Sequence, residues 1–460
     1  MKRCMFMAFA LMLGLPVMAA EGDALKDQSS MKVDFGGDLR LRYDFTDGLP
    51  DGRESKGHTD YARVRTRLWG KMTVQKLELF ARVANEFRYY NSREKDKGKQ
   101  RFPDVTFIDN LYLKYSDLFD FVDVKVGRQE MAFGGKRIIS DGTGGDGSRS
   151  NYFDAVRLTF NFDKDRTLDA FAIYMKSNDW LPTLGRTHDA KSKGNKSYDY
   201  ETSGYDQDEY GVGLYYQDRS NKEFGWDAYY VYKVEEAAHS YDHGSFIGEW
   251  NELERNNDDS FTTHTFGVRL LPKFTKTLSG EAELAAQFGD EGHLAMMAYG
   301  GLTYSRKDWA WQPKFTAAVQ YLSGDEDGWA GDSAWHPVFN RETGVGETVA
   351  PMFEKYAYNN FLYPHIKLDL VPAENQKLSF QTGPMFAPTT EKDGNEDCGN
   401  FRGYFAQVKY SIAIGKMIDS PWLKGLGMAF QGEYMSKGNY FMDGEDDDAF
   451  FGRMELTYKF

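Results

Sequence analysis

Past its first twenty residues the chain contains no apolar run long enough to cross a bilayer as a helix, which excludes a helical inner-membrane transporter. Cysteine is nearly absent. Of the 2 present, Cys4 falls in a leader segment and Cys398 stands alone, so no intramolecular disulfide and no cysteine-based metal set can form. A basic surplus is missing as well. The formal net charge is −14, and it becomes −16 once Lys2 and Arg3 leave with a leader that carries no acid. That balance argues against a nucleic-acid partner and suits a surface facing anionic, metal-bridged glycolipid. Catalytic spacing is also lacking: His58, His188, His264, His293, His336 and His365 are scattered, and none has a Ser, Asp or Glu partner at a motif distance.

Aromatic residues and glycine are plentiful instead. Aromatics make up 16% of the chain, with Gly 46, Tyr 29 and Phe 34, far from the Leu/Ala/Glu balance of a helical soluble protein. Residues 1–20 carry Lys2 and Arg3, an apolar stretch from Met5 to Leu15, and the small-residue ending Val17-Met18-Ala19-Ala20, the order of a secretory signal peptide. The mature chain, residues 21–460, contains no domain-sized insertion and reads as a single domain.

Alternation identifies the fold. In the last segment Phe450, Gly452, Met454, Leu456, Tyr458 and Phe460 share one face, and Phe451, Arg453, Glu455, Thr457 and Lys459 share the other. Leu39, Leu41, Tyr43 and Phe45 oppose Asp38, Arg40, Arg42 and Asp44, and Ala62, Val64, Thr66 and Leu68 oppose Arg63, Arg65, Arg67 and Trp69. The pattern returns at Val122–Val126, Val156–Phe160, Leu278–Phe288, Ile366–Leu370 and Tyr404–Ile412. A soluble sheet with such a face needs a second apolar layer, whereas lipid fills that place around a transmembrane barrel.

The expected fold is an all-β, antiparallel up-and-down transmembrane barrel of about eighteen strands. Strands start near Val33, Tyr61, Gln75, Val105, Phe121, Ser150, Arg166, Gln207, Glu223, Ser260, Lys276, His293, Trp309, Asn359, Gln376, Phe401, Lys424 and Ala449. Connections alternate between tight turns, such as Asp163 to Asp165 and Ser220 to Lys222, and long polar loops, such as Asn178 to Asp206 and Ser323 to Tyr358. Short periplasmic turns and long extracellular loops are the asymmetry of a Gram-negative outer-membrane barrel. Leu456, Tyr458 and the closing Phe460 resemble the signal read by the outer-membrane assembly machinery. Outer-membrane lipid and lipopolysaccharide are the expected surroundings.

A barrel of this size encloses an aqueous channel. Arg40, Arg42, Arg63, Arg65, Arg67, Arg82, Lys125, Arg128 and Arg157 fall on strands of the first third, while acids crowd into loops such as Gly324 to Asp327, Glu391 to Asp397 and Asp443 to Asp448. Cations inside a low-dielectric channel focus the field on passing anions. The competing reading pairs the arginines with Glu78, Glu86, Asp109 and Asp123, as inward polar residues that balance one another.

Other motifs carry less. Gly142, Gly144 and Gly147 spell a dinucleotide fingerprint without its strand-to-helix context. His239 and His243 lie in a polar loop, and Asp393-Gly394-Asn395-Glu396-Asp397 lacks the sixth-position glycine and terminal glutamate of a calcium loop. No cofactor, metal or catalytic residue is expected.

Several of these segments resemble one family. Asp38-Leu39-Arg40-Leu41-Arg42-Tyr43, Arg63-Val64-Arg65-Thr66-Arg67, Val126-Gly127-Arg128-Gln129-Glu130-Met131, Phe133-Gly134-Gly135-Lys136-Arg137-Ile138 and Phe153-Asp154-Ala155-Val156-Arg157-Leu158 are similar to the alginate-export family of outer-membrane porins. The resemblance is concentrated in the first third. It implies an eighteen-stranded barrel, an arginine-rich lumen and loops that close over the pore, with Arg128, Gln129, Arg137 and Arg157 at recurrent positions. Ala155 stands where the family pattern has glycine, a departure that bears on cargo rather than fold. Three functions stay open: an anion-selective channel for an acidic polysaccharide, a general or sugar-selective uptake porin, and an outer-membrane enzyme.

Overall fold

The computed structural model describes residues 31–51, 54–91, 106–140, 153–175, 208–236, 260–325, 332–340, 345–349, 359–390, 399–418, 420–441 and 448–460. The expected signal peptide, the 142–147 glycines, His239, His243 and the 393–397 acids lie outside these residues.

The strands are β1 (Met31–Asp47), β2 (Leu49–Asp51), β3 (Glu54–Lys56), β4 (Thr59–Val74), β5 (Leu77–Tyr90), β6 (Thr106–Leu118), β7 (Val122–Gln129), β8 (Phe153–Asn161), β9 (Arg166–Met175) and β10 (Glu209–Asp218). They continue with β11 (Phe224–Glu235), β12 (Phe261–Pro272), β13 (Leu278–Gly289), β14 (Leu294–Ser305), β15 (Lys314–Leu322), β16 (Phe361–Leu370), β17 (Gln376–Phe386), β18 (Phe401–Ile412), β19 (Leu426–Lys437) and β20 (Ala449–Lys459). β2 and β3 form a hairpin in the first long connection, and the other 18 make one sheet in chain order that closes where β20 pairs with β1. Closure removes every sheet edge, so no row of backbone N–H and C=O groups is left to face hydrocarbon.

Inside and outside follow from the alternation. On β1, Arg40, Arg42 and Asp44 are buried, while Leu41, Tyr43 and Phe45 between them are exposed to the membrane side. On β20, Arg453 is buried and Met454 exposed. Exposed aromatics form two bands: Tyr43, Phe45, Tyr89, Tyr404 and Phe450 at the long-loop end, and Phe35, Phe121, Trp311, Trp422 and Phe460 at the short-turn end. Amphipathic rings at the two interfaces are what a membrane barrel requires.

The tight turns are built by local side-chain bonds. Asp163 Oδ1 accepts from the backbone N–H groups of Asp165 and Arg166, both at 2.9 Å, and Thr275 Oγ1 accepts from Thr277 and Leu278. Most starts fall within three residues of the sequence reading, and one differs by more. The strand expected near Trp309 begins at Lys314, because Trp311 and Gln312 adopt φ of 63° and 45° in a turn closed by Arg306 N donating to Pro313 O at 2.9 Å. One connection on the long-loop side is short: Asp290–Gly292 is a single 3₁₀ turn, tied to β12 by Thr262 N donating to Asp290 Oδ2 at 2.8 Å.

The apolar core lies within the barrel. Met131, Phe133 and Ile139 from the β7–β8 connection, and Trp335, Phe339, Val345 and Val349 from the β15–β16 connection, pack with inward wall residues that include Phe171, Tyr215, Tyr363 and Phe405. Two segments thus fold into the lumen and join there, through an isolated bridge between Ile139 and Phe339 and a 2.7 Å hydrogen bond from Ser140 Oγ to Asn340 Oδ1.

Candidate pore lining and infolded constriction

The densest charge in the lumen runs across β20, β1, β4 and β5. Register sets Arg42 opposite Glu455 on one side and opposite Arg63 on the other, Arg40 opposite Arg65, and Asp38 opposite Arg67. Like charges directly opposite repel, so the arrangement holds only with carboxylates interleaved. Arg42 Nη2 reaches Glu455 at 2.8 Å, Arg63 Nε reaches Glu86 at 2.7 Å, and Asp38 receives Arg65 Nη2 at 3.1 Å and Arg67 Nε at 2.8 Å. Arg453 donates to both oxygens of Asp44 at 2.7 and 2.9 Å, and its Nη1 meets Glu347 of the infolded segment at 2.8 Å. Arg40 stands 3.6 Å from Glu86 and 3.8 Å from Glu455, and its buried Nη2 has no hydrogen-bond partner among the described residues.

The arginines expected to form an open cationic ring are therefore paired, mostly with acids on neighbouring strands; of the four acids named for that role Glu86 and Asp109 take arginines, whereas Glu78 accepts from Tyr112 and Asp123 pairs with Lys114. Among the described residues, six guanidiniums (Arg40, Arg42, Arg63, Arg65, Arg67, Arg453) share four wall carboxylates (Asp38, Asp44, Glu86, Glu455) and Glu347. Cations stay in excess on that wall.

The remaining sequence candidates separate by position. Arg82 is bonded to Asp109 and Glu130, and Arg157 to Asp169 at 2.7 Å with its guanidinium 5.0 Å from the Phe133 ring centre. Lys125 makes no ion pair or hydrogen bond among the described residues, and its ammonium rests 3.7 Å over the Tyr112 ring. Arg128 departs from the pore-lining expectation. Its side chain is fully enclosed, held by Asp154 at 2.9 and 3.0 Å and by the Ile108 carbonyl at 2.9 Å, and Gly127 before it adopts a φ of 120°. Arg137 lies on the infolded segment instead of the wall and crosses to Glu281 at 2.7 Å, Glu283 at 2.6 Å and the face of Tyr299 at 3.5 Å. Burial works against its charge, but Glu283 and Glu281 outweigh that and hold the guanidinium above its ordinary value.

The second infolded segment carries contacts that the sequence did not reveal. His336 Nε2 meets Glu235 at 2.7 Å, Lys233 Nζ donates to Pro337 O at 3.2 Å, and Gln287 Nε2 donates to His336 O at 2.6 Å. Across the barrel, Thr348 donates through N and Oγ1 to Glu433 Oε2 at 2.8 and 3.0 Å, and Gln407 Nε2 donates to Val345 O at 3.2 Å. The segment is thus braced against β11 and β13 at one end and β18 to β20 at the other. Near it, Lys409 faces inward with no ion pair or hydrogen bond among the described residues. Of the scattered histidines, His264 sits among Tyr230 and Tyr232 on the outward face, and His365 stacks on Tyr363 with its ring 4.5 Å away. Leu456, Tyr458 and Phe460 line the outward short-turn rim, with Tyr458 and Phe460 stacked at 5.8 Å. Among the described residues no three His, Cys, Asp or Glu side chains are placed to hold a metal.

A closed 18-stranded barrel with a charged lumen and two infolded segments defines an outer-membrane channel of the porin class. Residues 31–386 match the model of the alginate export family, and the chain belongs to that family. The match extends well past the first third in which the resemblance was legible. The fold is also that of Pseudomonas aeruginosa outer-membrane porins. OccK11 (OpdR) superposes with a TM-score of 0.55 at 12% identity, covering 93% of this chain and 95% of its own. OpdK, crystallised with vanillate, gives 0.56 at 10% identity over 93% and 98%, and OccK8 (OprE) gives 0.52 at 14% identity over 93% and 98%. No curated protein matches the chain in sequence.

Proposed function

We propose that this channel passes anionic solutes, with an acidic, alginate-like polysaccharide or its fragments as the cargo its lumen suits. The observation that carries the reading is the excess of guanidinium over carboxylate on β20, β1, β4 and β5, with Lys125 and Lys409 adding two ammonium groups that make no ion pair among the described residues. Fixed cations in a narrow, low-dielectric conduit lower the barrier for anions and raise it for cations. Membership of the alginate export family supports the same cargo class. Arg40, Arg42, Arg63, Arg65, Arg67, Arg82, Lys125 and Arg157 supply the field in this reading, and Arg137 acts on the constriction. The exposed aromatic bands support lipid and lipopolysaccharide as surroundings, and outward Leu456, Tyr458 and Phe460 support recognition during membrane assembly.

The deciding measurement is the reversal potential of the reconstituted protein in a planar bilayer under a salt gradient, followed by current block with oligouronates and with neutral oligosaccharides. Anion preference and selective block by oligouronates are expected, and cation preference overturns the proposal. A second reading, a sugar-selective porin, draws on the neutral amides Gln320, Gln381, Gln407 and Gln431 on β15, β17, β18 and β19. Equal block by neutral oligosaccharides would favour it.

A further inference from the structure

We infer that residues 345–349 of the infolded segment occupy a hydroxycarboxylate-binding site in the lumen and act as its built-in competitor. The inference rests on the anion-channel reading above and adds to it a defined subsite and a means of regulation.

The site is a row across three strands. Register places Lys409 of β18 opposite Gln431 of β19, and Gln431 opposite Arg453 of β20, so one ammonium, one amide and one guanidinium lie side by side on the inner wall. Asp44 takes Nε and Nη2 of Arg453, which leaves Nη1 directed at the lumen, where Glu347 Oε1 accepts from it at 2.8 Å. Lys409 has no ion pair or hydrogen bond among the described residues and lies within electrostatic reach of Glu347, Glu433 and Arg453. One residue further along, the Thr348 hydroxyl donates to Glu433 at 3.0 Å, on a carboxylate that also receives Gln407 Nε2 at 2.6 Å and Gln431 Nε2 at 2.5 Å.

Adjacent side chains of the tip thus present a carboxylate to a cation and a hydroxyl to a hydrogen-bond acceptor. That is the functional-group pair of a hydroxy acid such as a uronic acid residue. Gly346 makes the approach possible: a Cβ there would stand 2.7 Å from both Glu433 oxygens and from the Phe405 ring. A mobile ligand with the same two groups competes with the tip for Arg453, Lys409 and Glu433, and its binding releases the tip from the wall.

The test uses the full-length protein in planar bilayers with sodium glucuronate as the probe, and with glucose and sodium acetate as probes that each lack one of the two groups. In wild type, glucuronate changes the current at lower concentration than either control. The double variant Glu347→Gln/Thr348→Val clears the site, so its half-effect concentration for glucuronate falls by about fivefold or more, as expected when a site is freed from its occluded state. Gly346→Ala, which displaces the tip without touching a charge, shifts it in the same direction and serves where the double variant fails to assemble. Adding Lys409→Gln reverses the gain. An unchanged half-effect concentration in both tip variants, in a channel that still prefers anions, overturns the competitor. Loss of anion preference in wild type overturns the underlying reading instead.

Discussion

Arg453 and Asp44 join the last strand to the first: Nε and Nη2 of the guanidinium donate to the two carboxylate oxygens at 2.7 and 2.9 Å, and the Asp44 side chain is fully buried. Removing one partner of such a pair strands the other charge, at a cost of about 3–5 kcal/mol. Asp44→Ala is expected to lower the urea midpoint of the detergent-solubilised barrel with its slope unchanged, and Asp44→Asn less so. An unaltered midpoint for the alanine variant would show that the seam does not depend on this pair.

The arginine triplet carries both charge balance and selectivity. Changing Arg63, Arg65 and Arg67 together to Gln leaves Asp38 and Glu86 without these partners. The reversal potential should therefore swing toward cations, and thermal stability should fall as well, since buried carboxylates lose their compensation. Adding Asp38→Asn and Glu86→Gln should restore much of the stability and leave a nearly non-selective conduit. If the five-fold variant is no more stable than the triple, these ion pairs are not what holds the wall.

Lys125 and Lys409 separate selectivity from stability. Neither makes an ion pair among the described residues, so Lys125→Gln and Lys409→Gln should reduce anion preference while moving the unfolding midpoint by about 0.5 kcal/mol or less. The reduction should fade at high salt, because the Debye length drops from about 10 Å at 0.1 M to about 3 Å at 1 M. Reversal potentials at the two salt concentrations decide the point.

Arg137 latches its segment to Glu281 and Glu283. Its folded value is raised, so the charge contribution is fully present below the ordinary arginine range and is lost only at still higher pH. Across neutral and mildly alkaline pH the arginine end of the latch should stay constant. Arg137→Ala should raise single-channel conductance at every pH tested, by freeing the segment from the β13 wall. An unaltered conductance would place the rate-limiting constriction elsewhere.

The barrel was legible because two environments impose opposite demands on alternate residues. Leu41 and Tyr43 must face lipid and Arg40 and Arg42 must not, and that requirement is written locally at period two. Turns such as Asp163–Asp165 were legible for the same local reason. Pairing was not: that Asp38 serves Arg65 and Arg67, or that Glu86 serves Arg63, depends on inter-strand register, which no single strand carries. The constriction was least visible. Glu347 and Thr348 sit in a long connection without periodicity, and their roles arise only when Arg453 and Glu433 arrive from strands 106 and 85 residues away. Lys409 falls on the polar face of the Tyr404–Ile412 alternation, and nothing in the chain marks it as making no ion pair or hydrogen bond among the described residues.

Ile139 and Phe339 meet in a parallel bridge inside the barrel, reinforced by Ser140 and Asn340. The two segments come from different connections and share the β13 wall, and this junction makes them mechanically one crossbar with anchors at β11, β13 and β18 to β20. Withdrawal of either half loads the other. The junction predicts that the two halves withdraw together, so a channel record should step between two levels without the intermediate that two independent stoppers would produce.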